Sequence, residues 1–331
     1  MQPRQAPVPT PAPVYPIRPG DKPRGLDAGG TIDLPPALAG ERVRFDGVSC
    51  YVAGSGPPLI LVHSVNAASS AAEMRPVFER YRSSRTVYAI DLPGFGFSDR
   101  SDRPYTPRVM TDALQSLADR VREHCGRAPI DAVASSLGCE FLARAAVERS
   151  QVWGRLALVS PTGLDGNTPR RGKPGSTRGK PWLYALLRAR PWSEKLYRAL
   201  TRPGVIRYFL QRTWGSAAID EVLWNYDVRS SHQPGARFAP LYFLAGGLFS
   251  QDIHRIYESL WQPVWMSHGV RGDFTDFRGK ALIHDRGNWR TTVFECGALP
   301  YFERPAEFFA ELDEFLYDGA RPLNSLTVSS R

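Results

Sequence analysis

Residues 131 to 141 decide the fold, and they read DAVASSLGCEF. The first half is a run of small and apolar residues typical of a buried strand, and the second half begins a segment with helical spacing. Between the halves, residues 134 to 138 fit the pattern G-x-S-x-G with alanine in the first place. Small residues flank Ser136 because a sharp turn from strand to helix leaves little room for larger side chains. We therefore expect Ser136 at a strained turn as the candidate nucleophile, the alternative being an ordinary strand-to-helix turn.

Four apolar runs define a sheet around this turn, and each is separated from the next by a stretch able to form a helix. They read PPLILVH (57–63), RTVYAI (85–90), PIDAVA (129–134) and RLALVS (155–160). Runs that are apolar almost throughout belong in a parallel sheet that helices cover on both faces. The predicted fold class is therefore α/β, with a doubly wound, mostly parallel sheet.

Local signals mark the start of this sheet and its first long helix. Residues 42–45 and 48–52 are β-type runs on either side of Asp46-Gly47, a dipeptide suited to a tight hairpin turn. Farther along, Thr106 is placed to cap a helix that Pro107 opens, with apolar residues at helical spacing behind them. The folded part of the chain is thus expected to start with a hairpin near residue 42.

The rhythm of strands and helices divides the chain into parts. Residues 1–41 are crowded with Pro and Gly and have no hydrophobic period, so we expect an extended or disordered arm. After Ser160 the rhythm stops, and it returns only at PVWMSH (263–268) and TTVFEC (291–296), before a last helix through Phe308, Leu312 and Phe315. The predicted parts are a core of residues 42–164 and 259–320, a helical insertion at 165–258, and a tail at 321–331.

Composition narrows the classes of function. The 331 residues carry a net charge of +9, without an apolar run long enough to span a membrane or the apolar stretch of a secretory signal. The four cysteines lie far apart without metal-ligand spacing, so we expect a cytoplasmic protein with no structural metal and no cofactor. A basic chain admits an anionic partner, but zinc-finger and RNP signatures are lacking, and no nucleic acid is expected.

The first half of the insertion is both basic and aromatic. Between residues 181 and 214, side chains such as Trp182 and Tyr197 alternate with Arg198 and Arg212. Helices of this composition suit a surface that meets an anionic membrane, or a small molecule that is acidic and largely apolar. The alternative is that the aromatic residues pack onto the core while the arginines face solvent. We expect a small, largely apolar ligand and keep peripheral contact with a membrane open.

Two further motifs carry a resemblance to a known family. Residues 91–99 read DLPGFGFSD after the second apolar run, and residues 299–308 read LPYFERPAEF near the C-terminus. With the turn at Ser136, they resemble the motifs of the α/β-hydrolase family, in the family's order over residues 43 to 318. The resemblance implies a Ser nucleophile, a cap domain formed by the insertion, and an oxyanion hole made by the backbone N–H groups of Val65 and Leu137.

The chain departs from the family where the catalytic base belongs. The family has Gly-His-Leu-Pro after the strand that ends at Cys296, whereas residues 297–300 read Gly-Ala-Leu-Pro, so Ala298 stands where the His would be. The resemblance assigns the acid to Asp273, one residue later than the commonest spacing. Ser64 also replaces the usual Gly after His63. Loss of one triad member typically lowers kcat by about 10⁴ to 10⁶, so a fast esterase is not expected.

Three explanations for Ala298 stay open. In the first, another residue supplies the base. His268 is nearest in sequence, and His284 and His63 are less favoured. The alternative for His268 is that it only packs at a strand end. Otherwise the His was replaced through engineering, or the base was lost naturally. We predict a serine hydrolase of low activity for an ester or related acyl bond of an apolar or acidic-apolar substrate. The alternative is a non-catalytic ligand-binding protein with the same fold.

Overall fold

A computed structural model of the chain describes residues 33 to 317 except 167, 190, 191 and 284. Most of the predicted arm, residues 1–32, and the predicted tail at 321–331 lie outside the described residues. Between residue 33 and the first strand, Leu38 is buried in the same apolar cluster as Phe78. Packing against the core thus begins a few residues before the first strand.

The hairpin predicted at Asp46-Gly47 is confirmed. β1 (Glu41–Phe45) pairs antiparallel with β2 (Val48–Ala53), and Phe45 lies opposite Val48. Both turn residues have positive φ, 46° for Asp46 and 78° for Gly47. Asp and Gly tolerate this left-handed backbone better than most residues, which is why the dipeptide marks the turn.

The remaining strands extend the hairpin into one sheet. They are β3 (Pro58–Val62), β4 (Thr86–Asp91), β5 (Ile130–Ser135), β6 (Trp153–Val159), β7 (Val264–Gly269) and β8 (Trp289–Phe294). Across the described residues, eight strands follow the order β1-β2-β4-β3-β5-β6-β7-β8, and the pairs from β4 onward are parallel. The prediction of a doubly wound, mostly parallel sheet is therefore confirmed.

Three helices cover the first part of the sheet: α1 (Arg75–Tyr81), α2 (Pro107–Cys125) and α3 (Gly138–Glu148). α2 begins as predicted, because the Thr106 hydroxyl accepts a hydrogen bond from the Val109 N–H at 3.3 Å and Pro107 stands in the first turn. Neighbouring residues of β3 face opposite sides of the sheet: Ile60 lies in the apolar cluster of α2 and α3, and Leu61 lies in that of α1. Burial on both faces explains why the strand runs are apolar throughout.

Within the described residues, six helices lie between β6 and β7, and we call residues 181–258 the helical segment. They are α4 (Pro181–Arg188), α5 (Ser193–Leu200), α6 (Pro203–Trp214), α7 (Glu221–Ser231), α8 (Phe238–Leu244) and α9 (Ile253–Glu258). Two of them reach opposite faces of the sheet: Tyr257 of α9 packs into the cluster of α3, and Trp214 of α6 packs beside Phe302, with ring centroids 5.6 Å apart. The helical insertion was predicted for residues 165–258, and its first described helix begins at Pro181.

The chain after β8 forms α10 (Pro300–Glu303) and α11 (Pro305–Tyr317). Phe308 and Phe315 of α11 are buried, as the predicted last helix requires. Their rings pack on Trp265 of β7, with centroids 5.2 and 6.2 Å away. Because α10 follows directly on residues 295–299, this packing also fixes the loop that carries Ala298.

Candidate active site

Ser136 stands at a strained turn between β5 and α3. Its φ is 49°, a left-handed value that costs a non-Gly residue about 1–3 kcal/mol. The Ser136 N–H donates to Val159 O at 2.8 Å, and the Cys139 N–H donates to Ser136 O at 3.1 Å, so hydrogen bonds hold the turn. Gly138 makes room for it, since a Cβ there would come within 2.4 Å of the His63 carbonyl oxygen. The backbone therefore has the strained turn that the G-x-S-x-G pattern predicts.

The Ser136 side chain is partly exposed, whereas Ser135 and Leu137 on either side are fully buried. Within the described part of the chain, its hydroxyl makes no hydrogen bond to another residue. A Ser hydroxyl without a proton acceptor is a weak nucleophile at neutral pH. Ser136 thus occupies the place of a nucleophile, but the described residues do not pair it with a base.

The backbone N–H groups of Val65 and Leu137 follow neighbouring strands at the same edge of the sheet. β3 and β5 run parallel with Val62 opposite Ala134, and each of the two N–H groups comes three residues after its strand partner. Both residues are buried, and in the described ranges neither N–H donates to a protein acceptor. Backbone N–H groups without a protein acceptor are satisfied by water or by an atom of a bound ligand. Two such donors are what an oxyanion hole needs.

His63 lies at the start of the loop that carries Val65 and is fully buried. Its Nε2 accepts the Leu92 N–H at 3.0 Å, so the ring proton is on Nδ1, which donates to Ser64 O at 2.5 Å. Burial lowers the pKa of His63 to about 4, which keeps the ring neutral at pH 7. Because both nitrogens are occupied, His63 shapes this loop and has no free nitrogen for the Ser136 proton.

The buried carboxyl group of Glu73 is hydrogen-bonded to the same loop. Glu73 accepts the Ser64 N–H at 3.0 Å and also the Ser64 hydroxyl, and the Tyr301 hydroxyl lies 3.5 Å from its Oε1. Burial raises the pKa of Glu73, and the hydrogen bonds from Ser64 oppose that shift. Glu73 was not among the site residues predicted from the sequence. The signal was Ser64, because a hydroxyl side chain in a buried loop needs a hydrogen-bond partner.

The helical segment contacts the site at two points. The Tyr197 hydroxyl of α5 donates to Ala67 O at 2.8 Å, in the loop that carries Val65. At the end of α6, Thr213 O accepts the Ala298 N–H at 2.9 Å. The helical segment therefore supports both the loop after β3 and the loop that carries Ala298.

Ala298 is 6% exposed in the loop between β8 and α10. Its carbonyl oxygen accepts the Ser160 hydroxyl at 2.7 Å, and a Cβ on the preceding Gly297 would lie 2.5 Å from Trp214 O. The backbone here is thus fixed between the end of β6 and the end of α6. The methyl side chain of Ala298 neither accepts nor donates a proton.

Asp273 lies in the exposed loop after β7. Its carboxylate pairs with the guanidinium of Arg212, and its N–H donates to Arg212 O at 3.1 Å. Among the described residues, no imidazole is hydrogen-bonded to this carboxylate. The N–H groups of Asp273 and Ala298 therefore donate to consecutive carbonyl oxygens at the end of α6. The carboxylate of Asp273, however, is paired with a cation.

His268 is buried at the end of β7, and its ring stacks on Phe277 with centroids 4.2 Å apart. Lys280 Nζ donates to Nε2 at 3.2 Å, so the ring proton is on Nδ1, which donates to Gly269 O at 2.9 Å. Burial lowers the pKa of His268, with smaller effects from its neighbours. In this arrangement both ring nitrogens are occupied, and neither is free to accept the Ser136 proton.

The other histidines also have partners elsewhere. His254 accepts the Arg170 N–H at Nδ1 (2.6 Å) and donates from Nε2 to Gly163 O (2.5 Å). His124 is bonded to the Tyr88 hydroxyl and His232 to Val228 O, while His284 lies outside the described residues. None of the five described histidines is hydrogen-bonded to Ser136.

The described residues hold no group of three or more His, Cys, Asp or Glu arranged to bind a metal ion. They also contain no helix that is long and apolar enough to cross a membrane. The four cysteines are free, and burial raises the pKa of the Cys50 and Cys139 thiols, which keeps them protonated at neutral pH.

Comparison with known proteins identifies the family to which the chain is similar. Residues 59–312 match the model of the Alpha/beta hydrolase family. A curated relative, the pimeloyl-acyl-carrier-protein methyl ester esterase of Xylella fastidiosa, is 29% identical over 109 residues, which is 33% of this chain. That match spans only 38% of the relative's length.

Solved structures share the fold over most of the chain. A meta-cleavage product hydrolase from Pseudomonas fluorescens has a TM-score of 0.63 at 19% identity, covering 85% of this chain and 98% of that one. A carboxylesterase from Bacillus subtilis has a TM-score of 0.60 at 16% identity, covering 85% and 92%. At such identities the likeness shows the fold alone. The family model, however, matches more than half of the chain, and the chain therefore belongs to the alpha/beta hydrolase family.

Proposed function

We propose that this chain is a serine hydrolase that acts slowly on an ester or related acyl bond of a small, largely apolar molecule. The observation that carries the proposal is the strained turn at Ser136, flanked by the unpartnered N–H groups of Val65 and Leu137. The names of two similar proteins support it, since one is a methyl ester esterase and the other a carboxylesterase. Ester hydrolysis of this kind needs a nucleophile and a stabilised oxyanion.

In the proposed reaction, Ser136 Oγ attacks the ester carbonyl carbon, and the carbonyl oxygen becomes an oxyanion. The N–H groups of Val65 and Leu137 donate hydrogen bonds to that oxygen. The Ser136 proton passes to water or to a basic group of the substrate, because Ala298 occupies the base position. The tetrahedral intermediate then collapses, and the leaving alkoxide takes up the proton that Ser136 gave to water or to the substrate. A second water hydrolyses the acyl-enzyme to release the acid and free Ser136.

The vacant base position sets the expected rate. In dissected serine hydrolases, the oxyanion hole and substrate binding alone retain about 10³ to 10⁴ of the acceleration over water. We propose that turnover here is in that range. Asp273, the acid by resemblance, has Arg212 as its partner instead of an imidazole. His268 acts as a substitute base only if its ring leaves Gly269 and Lys280.

We further propose that the helical segment is the cap of this active site and that the protein works in the cytoplasm. The support for the cap is the pair of hydrogen bonds from Tyr197 to Ala67 O and from the Ala298 N–H to Thr213 O. Both join the helical segment to loops of the site. A cap in this place excludes water and determines which substrates fit.

The second candidate is a non-catalytic protein that binds a small ligand at the same place. It is favoured by one observation: in the described residues, no side chain is hydrogen-bonded to the Ser136 hydroxyl. In this alternative the N–H groups of Val65 and Leu137 hold a carbonyl or carboxylate oxygen of the ligand without reaction.

Labelling with a fluorophosphonate probe, read by intact mass, tests the proposal. The natural chain should label slowly, Ser136→Ala should not label, and the neighbouring Ser135→Ala should label like the natural chain. Ala298→His should label faster by a factor of about 10² or more, because a general base contributes about 10²–10⁴. Rapid labelling of the natural chain would show that another base exists. No labelling even in Ala298→His, with measurable ligand affinity, would favour the binding protein.

A further inference from the structure

We propose that the start of the helical segment is a docking surface for an anionic lipid bilayer. Three large side chains form it, and we call them the aromatic face: Trp182, Leu186 and Trp192. Their exposed fractions are 66%, 48% and 46%. The proposal concerns the surface of the protein and does not depend on the chemistry of Ser136.

The three side chains lie along α4 and just beyond its last residue. Trp182 and Leu186 are four residues apart in the helix and so lie on the same side of it. The Trp192 indole N–H donates to Leu186 O at 2.8 Å, which places this ring at the end of the helix. α4 contacts α8 through the rings of Tyr184 and Tyr242, whose centroids are 3.9 Å apart. The aromatic face therefore runs along one side of α4 and continues to Trp192 at the end of that helix.

No residue of α4 is buried, although the helix is mostly apolar. Six of its eight residues are Trp, Tyr, Ala or Leu, and none of them is buried. Scattered exposed apolar side chains are ordinary, but contiguous ones on a single helix mark a surface that meets a partner or a membrane. The notion that the aromatic residues of this region only pack onto the core does not explain Trp182 or Trp192.

Unpaired positive charge lies close to the aromatic face along the chain. Residues 178–214 contain nine Lys and Arg and one acidic residue, and carboxylates pair with four of these cations: Arg188, Arg198, Arg207 and Arg212. Lys180, Lys195 and Arg202 are exposed, and in the part of the chain that is described no carboxylate pairs with them. An anionic bilayer attracts each such cation enough to raise binding about fivefold.

The composition favours a bilayer over an acidic protein. Lys is depleted in protein–protein interfaces, whereas Lys and Arg beside Trp and Leu are typical of helices that lie in the membrane interface. Trp suits that location because its large ring is mostly apolar. Since no described helix is long enough to span a bilayer, the contact is peripheral.

Sedimentation of the full chain with lipid vesicles tests the proposal. We expect binding to vesicles of phosphatidylglycerol mixed equally with phosphatidylcholine, and little binding to pure phosphatidylcholine. Raising the salt from about 0.1 M to about 1 M should release the protein, because the screening length falls from about 10 Å to about 3 Å. Trp182→Ser combined with Leu186→Ser should lower binding by about tenfold or more, since the exposed apolar area is lost. Lys180→Gln combined with Lys195→Gln should also lower it more than about tenfold.

Matched controls distinguish binding through the aromatic face from non-specific adsorption to vesicles. Trp261 is 83% exposed but lies outside the face, so Trp261→Ser should bind like the natural chain. Arg127, exposed in the loop before β5, serves the same purpose as Arg127→Gln, and Ser136→Ala should keep full binding. Equal binding to neutral vesicles, or an equal loss in Trp261→Ser, would overturn the proposal. So would absence of vesicle binding, including the case in which the aromatic face captures an acidic protein instead.

Discussion

Gly138→Ala is the substitution that tests most directly how the loop after β3 depends on α3. Gly138 is the first residue of α3, two residues beyond Ser136, and its own φ is not positive. An added Cβ would come within 2.4 Å of His63 O and 3.1 Å of Val62 Cγ1. The carbonyl oxygen belongs to the backbone, so it gives way only if the loop that carries Val65 moves.

The expected magnitude follows from that distance. Ordinary contact needs about 3.4 Å or more, so His63 O must shift by about 1 Å, and such overpacking costs about 1–3 kcal/mol. A misplacement of about 1 Å at a reacting centre lowers rates by about 10²-fold, and loss of one oxyanion donor by about 10²–10³. We therefore expect a drop in the fluorophosphonate labelling rate of about 10²-fold together with a modest loss of stability.

Gly204→Ala is the matched control for this change. Gly204 is also near the start of a helix, α6, but a Cβ there would meet nothing within 4 Å. Its substitution should leave labelling unchanged and leave stability unchanged or higher by up to about 1 kcal/mol. Urea unfolding and labelling are measured for both variants, in the Ala298→His background if the natural chain reacts too slowly. If Gly138→Ala labelled as fast as its parent, the proposed link between Gly138 and the Val65 donor would be wrong.

Two further predictions concern carboxyl groups. Burial raises the pKa of Asp91 to about 6, so the folded protein holds this proton more tightly than the unfolded chain. The natural protein should therefore lose roughly 2 kcal/mol of stability relative to Asp91→Asn as the pH rises from about 4 to about 7, and a pH-independent difference in urea unfolding would contradict this. Asp273→Asn should change the labelling rate less than about twofold because its carboxylate has no imidazole to orient; a drop of tenfold or more would assign it a positioning role.

The fold could be predicted from the sequence because each of its signals is local. Apolar runs buried on both faces, the Asp46-Gly47 turn and the Thr106 cap depend on residues close together in the chain, and each appears in the structure where it was expected. The small residues around Ser136 likewise predict a strained turn because the steric limit acts within five residues. The strand rhythm also stops after Ser160 and returns at residue 263, and the described helices of the helical segment lie between these points.

The surroundings of the site could not be predicted in this way. Glu73 and Tyr301 are 228 residues apart in the chain, and the sequence gives no sign that they meet behind Ser64. Asp273 matches the family's spacing, yet its partner is decided by α6, which lies elsewhere in the sequence. His268 sits near a loop of the site, but the contacts of its ring with Phe277 and Lys280 depend on tertiary packing. Sequence spacing identifies candidate residues, whereas long-range contacts decide their partners.

The reaction rate of Ala298→His reports on a catalytic base only if the variant keeps its fold, and the hydrogen bonds around Ala298 indicate that it does. The Ala298 N–H donates to Thr213 O, and its carbonyl oxygen accepts the Ser160 hydroxyl. Both bonds use the backbone of Ala298, so they do not require a particular side chain at this position. Ala298→His therefore removes no hydrogen bond seen at this loop, and we expect it to keep the fold, which thermal unfolding checks. With the fold retained, a faster reaction at Ser136 would report proton transfer to the new imidazole, and an unchanged one would contradict the assignment of Ala298 to the base position.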